Sequence, residues 1–296
     1  MDTPIALLAG PFGLAFAALW GAIWGSFFNV VIARVPLGLS VVRPASHCFS
    51  CGKPVRALDN VPVLSFLWLR GRCRECGVRF SIRYPLVELL TAGLTVALWM
   101  KFVSAGGALS TFLFDPGFDA PGSDADLAVR LARFSLYFAF VGALTVLAFI
   151  DFDTKRLPDV ITIPGIAIFF AGAFAVDDVS WSARLIGVVA GYLFVRVIAD
   201  FYYYVLKREG LGLGDGKLLA MMGALLGWKC LPFVVFFGSV AGTLVTLPVL
   251  YFRRSRKETG DVDIRNVQVP FGPFLVVGAI VYTFAGSPIW AMLMPE

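Results

Sequence analysis

The sequence predicts an all-α polytopic membrane protein with about eight transmembrane helices and a small polar insert between helices 1 and 2. Three observations support this fold class. Hydrophobic residues make up 58% of the 296 residues and charged residues only 15%, against about 45–50% and about 25% in an average soluble domain. Apolar runs recur along the whole chain, and Lys and Arg are concentrated in alternate connections. This composition excludes a disordered chain, a collagen-like repeat and most soluble folds.

Eight apolar runs are candidate membrane spans, because a spanning helix needs about 20 mostly apolar residues. They cover residues 5–33, 86–105, 131–150, 160–176, 184–206, 217–228, 231–252 and 274–293. The fourth run is marginal and the sixth is short, so the count is eight with an error of one. The first run is too long for a cleaved signal peptide, and no basic residue precedes it.

The distribution of basic residues predicts the orientation, since loops rich in Lys and Arg stay in the cytoplasm. Residues 34–83 hold nine Lys and Arg but only two acidic residues, and alternate connections hold 19 of the 25 basic residues in all. The opposite connections carry aspartates or almost no charge. We therefore expect both termini outside the cytoplasm and four loops inside it.

Four cysteines occur as two CxxC pairs in the largest cytoplasmic loop: Cys48, Cys51, Cys73 and Cys76. A glycine follows each pair, which allows the sharp turn of a zinc knuckle. Four thiolates in two knuckles suit tetrahedral Zn²⁺, and the spacing is close to that of a zinc ribbon. Such a closed site would be structural and would stabilise an insert that is too small for its own core. The alternative is two reduced cysteine pairs without metal, or a redox pair. His47 could replace one ligand, although a surface role is expected for it.

Two aspartates mark the predicted cytoplasmic membrane boundary. Asp151 follows the third apolar run directly, and Asp215 ends a Gly-x-Gly-Asp run just before the sixth. Charged residues at such positions are costly unless they face a polar cavity. Two neighbouring carboxylates share a proton, so one can activate a water while the other protonates a carbonyl oxygen. The alternative is that both aspartates are helix end-caps. A dinucleotide fingerprint is the competing interpretation of the glycines, but no strand precedes them.

Seven segments taken together resemble the type IV prepilin peptidase family, whose members are GxGD-type membrane aspartic proteases. They are residues 25–36, 59–65, 70–74, 83–90, 151–159, 212–215 and 269–273. The resemblance implies a bifunctional enzyme of type IV pilus or type II secretion systems. Such an enzyme cuts the basic leader peptide from prepilins or pseudopilins at the cytoplasmic membrane face. It then methylates the new amino terminus with S-adenosylmethionine.

Carried over by position, the resemblance makes Asp151 and Asp215 the catalytic pair. It gives supporting roles to residues of the same two motifs: Asp153, Asp159, Gly212, Gly214 and Lys217. Of the two supporting aspartates, Asp153 is the stronger rival to Asp151. Lys217 either favours an ionised Asp215 or anchors in the lipid headgroups. The site of the methyl donor is not identified by a Rossmann-type motif. The candidate region, again by resemblance, contains Asp59, Asn60, Arg70, Arg72 and Glu88.

The expected division of the chain is a first transmembrane helix at 1–33, a four-cysteine insert at 34–84 and a transmembrane peptidase domain at 85–296. The expected location is the bacterial inner membrane, and the expected partners are prepilins and lipids but no nucleic acid. Three rival functions stay open. They are a peptidase without methyltransferase activity, a transporter, and a zinc-stabilised assembly protein. A transporter is expected to have ionisable residues near the bilayer midplane and often repeated halves, and no repeat is visible. The sequence does not reveal the oligomeric state.

Overall fold

The computed structural model describes residues 7–104, 127–175, 179–207, 212–256 and 270–293. Within these ranges the chain is helical, without a strand, and β pairing is limited to two isolated bridges in the insert. The helices are α1 (Pro11–Arg34), α2 (Leu64–Trp68), α3 (Arg83–Phe102), α4 (Leu127–Thr154), α5 (Asp159–Gly172), α6 (Trp181–Leu206), α7 (Leu213–Leu226), α8 (Cys230–Arg256) and α9 (Gly272–Leu293). The all-α prediction is therefore confirmed for the described part of the chain. The aspartates at 115, 119, 124, 126, 177 and 178, on which the orientation partly depends, lie outside these ranges.

Each of the eight predicted apolar runs overlaps a helix, but the count of eight spans is not confirmed. In the described residues, five helices are long and apolar enough to cross a membrane, namely α1, α3, α4, α6 and α8. Helix α5 and helix α9 contain shorter apolar segments. Helix α7 has 14 residues, which at 1.5 Å per residue is about 21 Å, less than the roughly 30 Å of a bilayer core.

The chain divides into two compact units, residues 1–146 and 147–296. In the first unit α1 packs along α3. The backbones approach closely because α1 has glycines at the contact: a Cβ on Gly25 would lie 2.7 Å from Cα of Glu88. The amide of Asn29 donates to the Tyr84 carbonyl oxygen over 3.1 Å. These contacts fix both ends of the insert, which leaves α1 and returns at the start of α3.

In the second unit α7 packs against α5, α6, α8 and α9. From Leu218 to Leu226 every residue of α7 is buried. A helix that is apolar on all sides is expected to be enclosed by others, which explains why a short apolar run forms a stable helix here. Asp215 stands three residues into this helix, so the packing of α7 determines where its carboxylate lies.

Candidate active site and cysteine centre

Asp151 occupies the last turn of α4 and is buried, with 5% of its surface exposed. Its Oδ2 accepts a hydrogen bond of 3.0 Å from the backbone N–H of Gly272, the first residue of α9. The first amides of a helix have no partner within the helix, and they favour an anionic group. The beginning of α9 therefore holds one carboxylate oxygen of Asp151 in a defined position.

Gly272 allows this contact because it has no side chain. A Cβ at this position would lie 2.7 Å from Oδ2 of Asp151 and 3.1 Å from its Cγ. Sequence reasoning included Gly272 only as part of a motif and gave it no role. Gly272 lies between Phe271 and Pro273, at the start of an apolar run. That pattern is the signal that could have suggested a helix start open to close contact with another side chain.

Asp215 is the third residue of α7 and is half-buried. Its carboxylate is near enough to that of Asp151 for the two charges to interact, and both residues belong to the second unit. Gly214, the residue before Asp215, permits close packing of the helix start against Leu157. A Cβ on Gly214 would lie 3.2 Å from Cβ of Leu157. Gly212 precedes the helix in an extended conformation, and a Cβ added to it would have no neighbour within 4 Å.

The supporting aspartates have different surroundings. Asp153 is exposed, unlike Asp151 two residues before it. Asp159 begins α5, and its Oδ1 lies 2.6 Å from Nζ of Lys217. This ion pair of Lys217 joins the starts of α5 and α7. The ion pair therefore connects the segment that follows Asp151 with the helix that contains Asp215.

The carboxyl groups of Asp151 and Asp215 are the groups available here for acid–base chemistry. Asp151 is held as an acceptor by the Gly272 amide, and the carboxylate of the half-buried Asp215 interacts with it electrostatically. The chain contains a single histidine, His47, and it belongs to the other unit, so histidine-based proton transfer is not available within the second unit. Two interacting carboxylates of this kind can transfer protons to and from a water and a peptide carbonyl.

The four predicted cysteines form one cluster in the first unit. Their sulfur atoms all lie within 4.8 Å of one another, and those of Cys48 and Cys76 are 3.7 Å apart. A tetrahedron with Zn–S bonds of about 2.3 Å has sulfur atoms about 3.8 Å apart. The donor set therefore fits a tetrahedral zinc ion. His47 lies outside the cluster, and its Nδ1 is 3.0 Å from the carbonyl oxygen of Ala45.

Both cysteine pairs adopt the same turn. The amide of Cys48 donates to the Lys53 carbonyl, and the amide of Cys73 donates to the Val78 carbonyl. The glycines after the pairs have positive φ angles of 68° and 72°, which only glycine adopts without strain. Backbone amides of Cys51 and Ser50 donate to the Cys48 sulfur and lower the pKa of its thiol to about 6. A thiolate in such a turn is ready to bind a metal.

Ion pairs connect the two knuckles. Glu75, in the second knuckle, binds Lys53 over 2.8 Å and Arg56 over 3.1 Å. Arg74 donates to Asp59 through Nε over 2.9 Å. The hydrogen bond from Arg74 is the main reason that the pKa of Asp59 lies below its usual value. Asp59, one of the candidate residues for the methyl donor, therefore has a structural partner.

The other candidates for methyl-donor binding differ in their surroundings. Glu88 is buried in α3, and its Oε2 accepts from the Val63 amide over 2.7 Å. Asn60 is exposed at the end of a 3-10 turn, and it lines a cavity. Arg70 and Arg72 are exposed and belong to the turn before the second cysteine pair.

Comparison with known proteins adds to this geometry. Residues 19–102 match the bacterial peptidase A24 N-terminal domain, and residues 138–247 match the type IV leader peptidase family. A prepilin leader peptidase/N-methyltransferase of Burkholderia pseudomallei is 37% identical over 95% of this chain and 88% of its own length. The chain belongs to the type IV leader peptidase family.

Further relatives carry the same description. The prepilin leader peptidase/N-methyltransferase of Myxococcus xanthus is 40% identical over 96% of this chain and 77% of its own length. The protein of the same name from Aeromonas hydrophila is 33% identical over 94% of this chain and 92% of its own length. No solved structure matches the chain significantly. The predicted family is thus confirmed, and so is the expected class of enzyme, an aspartic peptidase of the membrane.

Proposed function

We propose that the protein cleaves the leader peptide of prepilins or pseudopilins with Asp151 and Asp215 as its catalytic pair, and then N-methylates the new amino terminus. The observation that carries this proposal is the second-unit site, in which a carboxylate anchored by the Gly272 amide interacts with the carboxylate that begins α7. The names of the relatives support prepilins as the substrate and an N-methyltransferase reaction. The methyl donor that the family resemblance implies is S-adenosylmethionine.

The geometry suggests a division of roles between the two aspartates. Asp151 already accepts a hydrogen bond and therefore serves best as the ionised base, while Asp215 carries the shared proton. Asp151 takes a proton from a water, whose oxygen forms a bond to the scissile carbonyl carbon, and Asp215 protonates the carbonyl oxygen. Asp151 then returns its proton to the leaving nitrogen as the C–N bond breaks, and Asp215 recovers its proton from the collapsing intermediate.

The charge distribution supports a cytoplasmic location for this site. Lys155 and Arg156 follow α4 directly, and Lys207 follows α6. Under the positive-inside rule these helix ends face the cytoplasm. Asp151 lies in the last turn of α4, and Asp215 lies in the first turn of α7, the helix that follows α6 in the chain. We therefore place both aspartates at the cytoplasmic face of a multi-pass protein of the bacterial inner membrane, with both termini on the opposite side.

The cysteine centre is proposed to hold one structural zinc ion. Four sulfurs complete a tetrahedral shell, so no coordination position is left for a substrate. The ion would stabilise an insert in which only short helical segments form. Cys76→Ser should lower the bound zinc well below one ion per chain. Cys230→Ser, which changes a buried cysteine of the second unit, should leave one zinc ion bound, as measured by elemental analysis.

The catalytic proposal is tested by mass spectrometry of a prepilin incubated with membranes that contain the full chain. Asp151→Asn and Asp215→Asn should each abolish cleavage, while both proteins still accumulate and methylate a pre-cleaved prepilin. Asp153→Asn tests the rival assignment: this exposed aspartate lies on the same helix, and a variant that cleaves like the parent would exclude it as the catalytic residue. Cleavage by either Asp151→Asn or Asp215→Asn within tenfold of the parent rate would refute the catalytic assignment.

A further inference from the structure

A cavity of about 350 Å³ lies in the first unit, beside the end of α1 that leads into the insert. Small-molecule sites in proteins occupy about 300–1,000 Å³. One wall is the side of α1, a second is the loop 41–46, and a third is the segment at Asn60 and Pro62. The residues that define these walls include Ile23, Phe27, Val30, Arg34, Val42 and Asn60.

The loop wall is attached to α1 by Arg34. Its Nη1 donates to the carbonyl oxygens of Ser40 and Pro44, over 3.0 Å and 2.8 Å. Both hydrogen bonds come from one nitrogen, and a guanidinium carries further N–H groups in a planar fork that suits a carboxylate. Arg34 therefore does two things: it fixes the loop and it presents a cationic group that lines the cavity.

The third wall is held by a buried carboxylate. Glu88 accepts from the Val63 amide over 2.7 Å and from the hydroxyl of Ser26, which itself lines the cavity. Val63 has φ 61° and ψ −50°, and the amide of the next residue donates to the Pro62 carbonyl over 2.6 Å. A γ-turn with positive φ is rare, and a β-branched residue there is strained.

Such strain persists only when the surrounding structure holds it, and strained residues cluster at functional sites. Here Glu88 holds the turn that presents Pro62 and Asn60 to the cavity. Neither the zinc centre nor the peptidase site uses this contact. The buried carboxylate of Glu88 therefore holds the strained turn in place. The turn in turn determines the shape of the cavity.

We propose that this cavity binds S-adenosylmethionine, the methyl donor of the proposed second reaction; the proposal rests on the methyltransferase half of the proposed function. The apolar side chains of Ile23 and Val30 suit the adenine ring, and the Arg34 guanidinium suits the carboxylate of the methionine part. Phe27 offers an aromatic face to the sulfonium cation. The polar group at the rim is Asn60, and Glu88 is a positioning residue that acts through Val63.

Binding of radiolabelled S-adenosylmethionine to the full chain in lipid nanodiscs tests the proposal directly. Val30→Trp fills the cavity from the side of α1 and should weaken binding at least tenfold. Leu19→Trp is the matched control, since Leu19 is 60% exposed on the same helix and does not line the cavity. It should bind within twofold of the parent. Prepilin cleavage reports that the second unit of each variant is folded, and bound zinc reports that the insert of the first unit is folded.

The role of Glu88 is tested by comparing two substitutions. Glu88→Ala removes the acceptor of the Val63 amide and should weaken donor binding, whereas Glu88→Gln keeps a carbonyl acceptor and should restore most of it. A purely structural role would lower cleavage and zinc content together with binding in Glu88→Ala. The positioning role is overturned if the Gln variant binds no better than the Ala variant.

Two results would overturn the cavity assignment, and they differ in what they say about function. If the parent binds the donor and Val30→Trp binds it equally well, the donor lies elsewhere and the proposed function stands. If the parent cleaves prepilin but neither binds the donor nor methylates, the methyltransferase half of the proposed function is wrong, and the cavity assignment fails with it.

Discussion

Gly272→Ala should disable the peptidase by displacing Asp151. The added Cβ would lie 2.7 Å from Oδ2 of Asp151, and ordinary van der Waals contact begins at 3.4 Å. The carboxylate or the start of α9 must therefore move by about 0.7 Å. A movement of that size would lengthen the 3.0 Å hydrogen bond from the Gly272 amide beyond the usual range of about 2.7–3.2 Å.

The magnitude follows from the lost hydrogen bond. A hydrogen bond to a charged group contributes about 1.5–3 kcal/mol, and each 1.36 kcal/mol of barrier is tenfold in rate. If this energy orients the base in the transition state, kcat for prepilin cleavage should fall about 10- to 150-fold. KM should change little, since the substrate-binding surface is not altered. The assay is the initial rate of leader-peptide release by the full chain in nanodiscs.

Gly242→Ala is the matched control, because a Cβ there would make an ordinary contact of 3.4 Å with the Phe274 ring. It lies inside α8, where alanine is favoured over glycine by about 1 kcal/mol, and it should cleave like the parent. Methylation of a pre-cleaved prepilin should be normal in both variants. Cleavage by Gly272→Ala within twofold of the parent would show that the helix start does not position Asp151.

Three further predictions concern the ion pairs and the metal. Lys217→Asp should lower cleavage by repelling Asp159, and the exchanged pair with Asp159→Lys should recover part of it; no recovery in the rate assay would contradict a positioning role for the pair. Arg74→Gln should destabilise the insert at neutral pH. Because the folded pKa of Asp59 is below its unfolded value, the contribution of the pair is present above about pH 4 and is lost at lower pH. The melting-temperature difference between parent and Arg74→Gln should therefore shrink as pH falls, and a constant difference would contradict it. A strong zinc chelator should lower the melting temperature of the insert and zinc should restore it, while an unchanged melting profile would contradict a structural metal.

Much of the fold follows from local sequence pattern. The long apolar runs correctly predicted five helices, namely α1, α3, α4, α6 and α8. Bilayer thickness and the rise per residue together fix the number of residues that a spanning helix needs. The two cysteine knuckles were also predictable, since the ligand spacing and the following glycine are both local. Their sulfurs converge as a tetrahedral site requires.

Contacts between distant segments were not predictable in this way. The hydrogen bond between Asp151 and Gly272 joins residues 121 positions apart, and the ion pair of Asp159 and Lys217 joins residues 58 apart. The spacing rules describe one element at a time, so they could not show which helix start meets which carboxylate. For the same reason they treated α7 as a short span, although its burial by four neighbouring helices determines its environment.

The central claim is that Asp151 and Asp215 act as one catalytic unit, and single-turnover cleavage by the two single variants and the double variant tests it most directly. Residues that act as a unit have non-additive effects. Asp151→Asn and Asp215→Asn should each cleave at least about 100-fold more slowly than the parent, and the double variant should be no slower than either. Cleavage by either single variant within tenfold of the parent, or losses that multiply in the double variant, would contradict the account.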